Sequence, residues 1–231
     1  MNLIAIIPAR GGSKRIPRKN VKPFMGKPIL AYPIAAALES GIFTEVMVST
    51  DDSDIADVAR SYGAHVPFMR SPEQSGDQAG TAPVLMEVLR EYERRGQHFD
   101  VCACLYPCAP FITAETLRSG MRLLQRNGID AVLPVVRFSY PPQRGLVIRD
   151  GRAHMLHPEN YSARSQDLEP CYHDAGQFYF IKAESLFREG RLFCAHTLPL
   201  ELPETEVQDI DTEEDWALAE MKYRLLHQGQ P

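Results

Sequence analysis

The sequence predicts an α/β protein built on a mostly parallel sheet with helices on both faces. Apolar runs at residues 3–7, 45–50, 99–105 and 130–136 alternate with longer segments of helical period, the pattern of successive βαβ units. Turn-forming Gly, Pro or Asp follows most of these runs. With 231 residues, 44% of them apolar, the chain is long enough for one large domain with at most a small appendage.

The first apolar run, residues 3–7, reads as a buried strand, and Gly11-Gly12 as the turn that ends it. Residues 28–40 have helical character, and Gly41 stands where a C-cap belongs. The run 45–50 is a strand ending in Asp51-Asp52-Ser53-Asp54, acids suited to cap and charge the N-terminus of a helix over 55–62. A short strand is expected at 66–69, a polar loop from Arg70 to Gly80, a helix over 81–95 and a buried strand over 99–105. Thr113 is a good N-cap for a helix to residue 125, and 130–136 returns to the sheet. Ligands of such sheets bind beyond the carboxyl ends of the strands, so Arg10, Asp51 and Pro107, each just past a strand, should line one edge.

From Arg137 the character changes. Asp150-Gly151 between residues 145–148 and 153–156 is a hairpin signal, and 158–172 has no period but many polar side chains. Residues 137–175 therefore read as an insertion into a core formed by 1–136 and 176–231. Strands are expected at 177–181 and 207–210, a short helix at 183–188 and a last helix at about 212–226.

Charge is the most informative feature. Between Arg10 and Lys27 there are seven Lys and Arg residues and no acid, in a chain with 25 basic and 30 acidic residues. A long cationic loop after a strand and a Gly-Gly turn has the makings of a polyphosphate cradle, with amides turned toward an anion and side chains supplying countercharge. Two familiar phosphate motifs are excluded: Gly11 and Gly12 are adjacent, not spaced as G-x-G-x-x-G, and Gly26-Lys27 is followed by Pro28, not Ser or Thr. A net charge of −5 argues against nucleic acid as the partner. No signal peptide or membrane span is read, and a cytoplasmic protein is expected. Five cysteines, an odd number without the density of a disulfide framework, read as small buried hydrophobes, not as a zinc site.

Asp209-Ile210-Asp211, at the end of a strand-like run, would project two carboxylates from one face at a Cα spacing of roughly 6.6 Å, suited to one Mg²⁺. The alternative is that Asp211 caps the last helix with Glu214 completing a box. No residue stands out as general base; His173 beside Asp174 has no serine nucleophile motif to serve.

The string from Ile7 to Asn20, IPARGGSKRIPRKN, resembles the entry motif of the CMP-sialic acid synthetases, which activate nine-carbon acidic sugars with CTP. The likeness runs from Ile4 to Trp216. It implies a Rossmann-like nucleotide-diphospho-sugar transferase fold and a homodimer closed by the insertion. It further implies attack by the anomeric hydroxyl of an acidic ketose on the α-phosphorus of CTP. Arg10 and Lys19 would neutralise the triphosphate. Gly11, Gly12, Ser13, Lys14 and Asn20 would complete the nucleotide site, with Arg70 and Thr81 near the base. Asp209 and Asp211 match the family's metal-binding D-x-D. Arg164, Gln166, His173, Asp174 and Gln177 fall at its sugar site.

The chain departs from the sialate pattern in two places. Tyr106-Pro107-Cys108-Ala109-Pro110-Phe111 stands where Gln-Pro-Thr-Ser-Pro-Leu-Arg is usual, and His173-Asp174-Ala175-Gly176-Gln177 where Arg-Pro-Asn-Gly is usual. With Arg164 to Pro170 these segments look most like the pseudaminic acid branch of the family. Legionaminic or N-acetylneuraminic acid is the alternative substrate, and a CTP-binding regulatory module without turnover the alternative of another class.

Overall fold

The computed structural model describes residues 1–76 and 79–228. Its centre is a sheet of seven strands, of which β1 (Leu3–Pro8), β4 (Glu45–Ser49) and β5 (Val101–Leu105) form a parallel group with β1 in the middle. On the far side of β5 the order continues through β10 (Phe178–Lys182), β6 (Ala131–Arg137) and β11 (Thr197–Glu201). Strand β10 is antiparallel to both β5 and β6, and β9 (Tyr172–Asp174) also pairs antiparallel with β6.

Alternation along the strands divides the core between the two faces. Ala5, Ile7, Val46, Val48, Ala103, Leu105, Phe178 and Phe180 face one way, against α1 (Ala31–Ser40), α2 (Ser53–Ser61) and α5 (Ala114–Leu124). Ile4, Ile6, Met47, Cys102, Cys104, Tyr179 and Ile181 face the other, against α4 (Thr81–Arg94) and α6 (Ala183–Glu189). Side chains such as Phe178 and Phe180, at 0% exposure, each contribute about 1.5–3 kcal/mol by burial. Cys102 and Cys104 share this second face, and both thiols are free. Among the described residues no helix is long and apolar enough to cross a membrane.

The caps explain several boundaries. Asp52 accepts from the backbone N–H groups of Asp54 and Ile55 and starts α2; Gly41 closes α1 at φ 66°. Thr113 and Thr116 form a capping box on α5. Between α2 and α4, Pro72–Ser75 makes one short helix, α3. The hairpin of β7 (Leu146–Arg149) and β8 (Arg152–Met155) turns on Asp150 and Gly151, both at positive φ as a type I′ turn requires.

Five expectations need correction. Helix α1 starts at Ala31, because residues before it are taken by a small ladder of β2 (Pro23–Phe24) with β3 (Lys27–Pro28) that closes the cationic loop. Residues 66–69 form no strand; only His65 bridges to Met47, and two prolines nearby limit donors for a ladder. Strand β11 was not expected, since its partly exposed Thr-Leu-Pro-Leu-Glu lacks a long apolar run. Residues 207–210 form no strand among the described residues, and the ladder position falls to β11 instead. The last helix, α7 (Glu213–His227), is capped by Thr212 with Asp215, not by Asp211 with Glu214.

Candidate active site

The carboxyl ends of β4, β1 and β5 lie side by side, so Asp51, Arg10 and Pro107 share one edge of the sheet, as the alternation predicts. Because β10 runs the other way, its beginning lies at the same edge, and the Tyr106 N–H donates to the Gln177 carbonyl at 2.8 Å.

The cationic loop is fastened at several points. The Gly11 N–H donates to Asp51 Oδ1 at 2.9 Å, so this amide faces a carboxylate of the chain itself and not open space. Gly12, by contrast, has nothing within 4 Å of where a Cβ would stand, leaving its backbone approachable. Arg18, at φ 56°, spreads its guanidinium over Asp52 and Asp54, at 2.8 Å each, and ties the loop to the start of α2. Asn20 is 4% exposed; its amide donates to the Arg10 carbonyl at 2.8 Å and accepts from the Cys108 thiol at 3.2 Å. Burial pushes the Cys108 thiol up to about 12, with Asp209 and Asp211 adding to the rise and Lys19 opposing it, so it stays a neutral donor.

This scaffold encloses a cavity of about 180 Å³ lined by Arg10, Ser13, Lys14, Arg15, Lys19, Asn20 and Pro107 among others. Whole-ligand pockets run to about 300–1,000 Å³, so a space this small and this cationic suits the phosphates of a larger ligand. A larger groove of about 560 Å³ crosses α1, the start of α5 and the end of α7. Its Lys27 is outnumbered there by Glu39, Glu115 and Glu206, the wrong sign for a polyphosphate.

Asp209 and Asp211 arrive at the cradle without a ladder. Side chains hold their segment instead: Lys19 Nζ donates to the Ile210 carbonyl at 2.7 Å, Gln177 Nε2 to the Glu206 carbonyl at 2.7 Å, and Lys222 Nζ to the Val207 carbonyl at 2.8 Å. Ile210 itself is buried with Ile16, Phe24, Phe111 and Trp216. Asp211 is gripped by Arg15 through both oxygens, at 2.7 Å each, with Lys19 at 3.7 Å. The Asp209 carboxylate accepts no hydrogen bond among the described residues, and burial, then Asp211, push it above the usual range, against the pull of Lys19. A carboxylate whose proton affinity is raised in that position is short of positive charge, which fits a divalent cation. Among the described residues no group of three or more His, Cys, Asp or Glu side chains is placed to hold a metal, so any further ligands must come from water or substrate.

Arg70 is 8% exposed and grips Ser49 through Nε at 3.0 Å to the hydroxyl and through a terminal nitrogen to the carbonyl. Burial lowers its proton affinity, partly offset by Asp51 and Glu87, with Arg10 close enough to oppose them. Thr81 begins α4 and meets the Tyr106 hydroxyl. Both therefore stand beside the cradle.

The sugar-site candidates divide. Asp174 and Gln177 lie at the edge that carries Asp209: Gly176, between them, has the Asp209 carboxyl carbon 3.8 Å from where its Cβ would stand. Gln177 is 1% exposed and its side chain is tied to Glu206, with Oε1 unpaired among the described residues. His173 is exposed, its ring 4.9 Å from Phe138. Arg164 is exposed and pairs with Asp167 at 2.7 Å, and Gln166 lines a separate cavity of about 540 Å³ with Arg137, Phe138 and Glu201. Within one chain these last two do not join the cradle. Sequence reasoning missed the tie from Arg15 to Asp211, the thiol of Cys108 on Asn20, and Asp51 on Gly11; contacts between residues 40 to 196 positions apart leave no local pattern.

Comparison with known proteins gives the same picture. The family model described as cytidylyltransferase matches residues 4–221. The chain is 39% identical over 230 residues to a pseudaminic acid cytidylyltransferase of Campylobacter jejuni, covering 99% of each chain. It is 36% identical over 232 residues to a CMP-N,N'-diacetyllegionaminic acid synthase of Legionella pneumophila, covering 97% of each. Among solved structures, a CMP:2-keto-3-deoxy-manno-octonic acid synthetase complexed with CTP superimposes with a TM-score of 0.72 at 18% identity, over 99% of this chain and 100% of that one.

Proposed function

The chain belongs to the cytidylyltransferase family, and from that premise we propose that it activates a nine-carbon acidic ketose, pseudaminic acid, with CTP. In this reaction the anomeric oxygen of the sugar bonds to the α-phosphorus of CTP, the bond from that phosphorus to the β-phosphate bridging oxygen breaks, pyrophosphate leaves, and the hydroxyl proton passes to solvent. The observation that carries the reading is the junction of the cationic cradle with Asp209 and Asp211, through Lys19 and Arg15. It brings countercharge for a triphosphate and a candidate cation site to one place.

Transfer to phosphorus is catalysed mostly by positioning and charge neutralisation. Arg10 and Lys19 neutralise the triphosphate and the departing pyrophosphate, while Gly11, Gly12, Ser13, Lys14 and Asn20 shape the cradle. Arg70 and Thr81 border the base. Asp209 and Asp211 would hold Mg²⁺, which when bound offsets charge on the phosphate oxygens.

Arg164, Gln166 and His173 are assigned to the sugar site of a homodimer, in which residues 137–175 of one subunit close the site of the other. Support comes from the insertion's exposed apolar side chains: Tyr140 is 86%, Ile148 80%, Tyr161 76% and Leu146 64% exposed, more than an isolated hairpin needs to leave in water. With CTP as co-substrate and five free cysteines, the reaction belongs in the cytoplasm.

The test is pyrophosphate release from CTP and Mg²⁺ with pseudaminic, legionaminic and N-acetylneuraminic acids supplied separately. Release with pseudaminic acid above the other two is expected. Preference for legionaminic acid, the substrate class of the Legionella relative, would retain the chemistry and overturn the sugar. CTP binding with no release from any sugar would favour a regulatory module.

A further inference from the structure

Among the described residues the segment from Glu206 to Asp211 pairs with no strand, yet it must present Asp209 at one place. The turn from Asp174 to Gln177 lies against it. Asp174 Oδ1 accepts the Gly176 N–H at 2.8 Å, which holds Gly176 at φ 62°, a conformation that favours glycine. Beyond the glycine's open side lies Asp209, with Cγ and Cβ 3.8 and 4.0 Å from an added Cβ. One residue on, Gln177 holds the Glu206 carbonyl at 2.7 Å. The turn is therefore the surface on which the Asp209 segment rests.

The shape of that turn is set from the core. Tyr179 on β10 is 5% exposed, its ring edge-on to Tyr106 at 5.4 Å, and its hydroxyl donates to Asp174 Oδ2 at 2.7 Å. Both oxygens of Asp174 are thereby engaged within the chain, one by the turn it caps and one by the sheet. We propose that Tyr179 is a positioning residue: through Asp174 and Gly176 it fixes where Asp209 stands, and Asp174 serves that turn instead of gripping the sugar. Burial, then Tyr106 and Asp174, push the Tyr179 phenol far above its ordinary range, so it remains a donor at any working pH. The cation part of the inference rests on the proposed role of Asp209; the positioning part does not.

The experiment has two readouts on Tyr179→Phe, Asp174→Ala, Asp174→Asn and the double variant Tyr179→Phe with Asp174→Ala. The first is backbone amide exchange over residues 174–177 and 206–211 in metal-free protein. The second is Mn²⁺ affinity by electron paramagnetic resonance without sugar. Tyr179→Phe and Asp174→Ala should each speed exchange in both segments and weaken Mn²⁺ binding about tenfold, the cost usual for a residue that orients a metal ligand. The double variant should lose no more than the worse single one, and Asp174→Asn, which keeps an acceptor for Gly176, should lie near wild type. Unchanged exchange in Tyr179→Phe, or losses that add in the double variant, would overturn the proposal. A wild-type protein that binds no Mn²⁺ would sink the cation reading alone, since exchange still decides the positioning.

Discussion

Arg15 and Asp211, 196 residues apart, meet through two bonds of 2.7 Å, so the cationic loop and the D-x-D segment form one electrostatic unit before any substrate arrives. Arg15 offers a fork that matches a carboxylate, but its side chain is 68% exposed, and pairs in that setting contribute about 1 kcal/mol or less to stability. Arg15→Ala should therefore melt close to wild type. Its Mg²⁺ titration should shift to lower concentration, because a competing cation on Asp211 is gone. A shift to higher concentration would mean that the pair orients Asp211 and does not compete for it.

Lys19 stands between the loop and that segment, on the Ile210 carbonyl and near Asp211. Removing a group aimed at charge developing in the transition state costs about 10²–10³ in turnover. Lys19→Ala should show a fall of that order in pyrophosphate release with an unchanged circular dichroism spectrum. A near-normal turnover number would remove Lys19 from the catalytic set.

Asp209 gives a pH dependence of defined sign. Its folded proton affinity is raised, by burial first and by Asp211 second. The stability this gives the protonated form is present at low pH and is lost as pH rises through the raised value, so at neutral pH the ionised group destabilises the metal-free fold. Asp209→Asn should melt higher than wild type at pH 7–8 without metal, and the gap should close on acidification. Mg²⁺ should then stabilise the wild type and not the variant.

Gly120 tests packing away from the chemistry. A Cβ there would stand 2.9 Å from two ring carbons of Phe180 and 3.1 Å from Phe178, with no flexible chain end to yield. Gly120→Ala should cost about 1–3 kcal/mol in denaturant unfolding, with the KM for CTP unchanged. Stability equal to wild type would mean that α5 can lift off the sheet without penalty.

Much of the fold could be read from residues 3–7, 45–50 and 99–105, where the runs are buried on both faces and the period leaves little choice. The cradle was legible for the same reason: Gly11, Gly12 and seven cations stand together in the chain. What composition hides is direction and pairing. Nothing in Phe-Tyr-Phe-Ile-Lys says that β10 runs against its neighbours, and Thr197–Glu201 looks too polar and proline-broken to win the ladder that residues 207–210 seemed to merit. Asp209 and Asp211 were singled out by spacing and by the likeness to the family's D-x-D, but the support of their segment was misread, since side-chain amides and lysines stand in for a strand partner.

The place of β10 has a bearing on how the chain is made. Residues 178–182 sit between β5 and β6, so the middle of the sheet is the work of a segment that leaves the ribosome well after both its neighbours. Until then β5 offers an open, wholly apolar edge, the kind of surface that aggregates. Contacts of such sequence separation form late and slowly. A chain stopped at residue 137 would keep the whole cationic cradle and still lack a closed sheet to carry it, which makes this protein a poor candidate for trimming to its nucleotide-binding half.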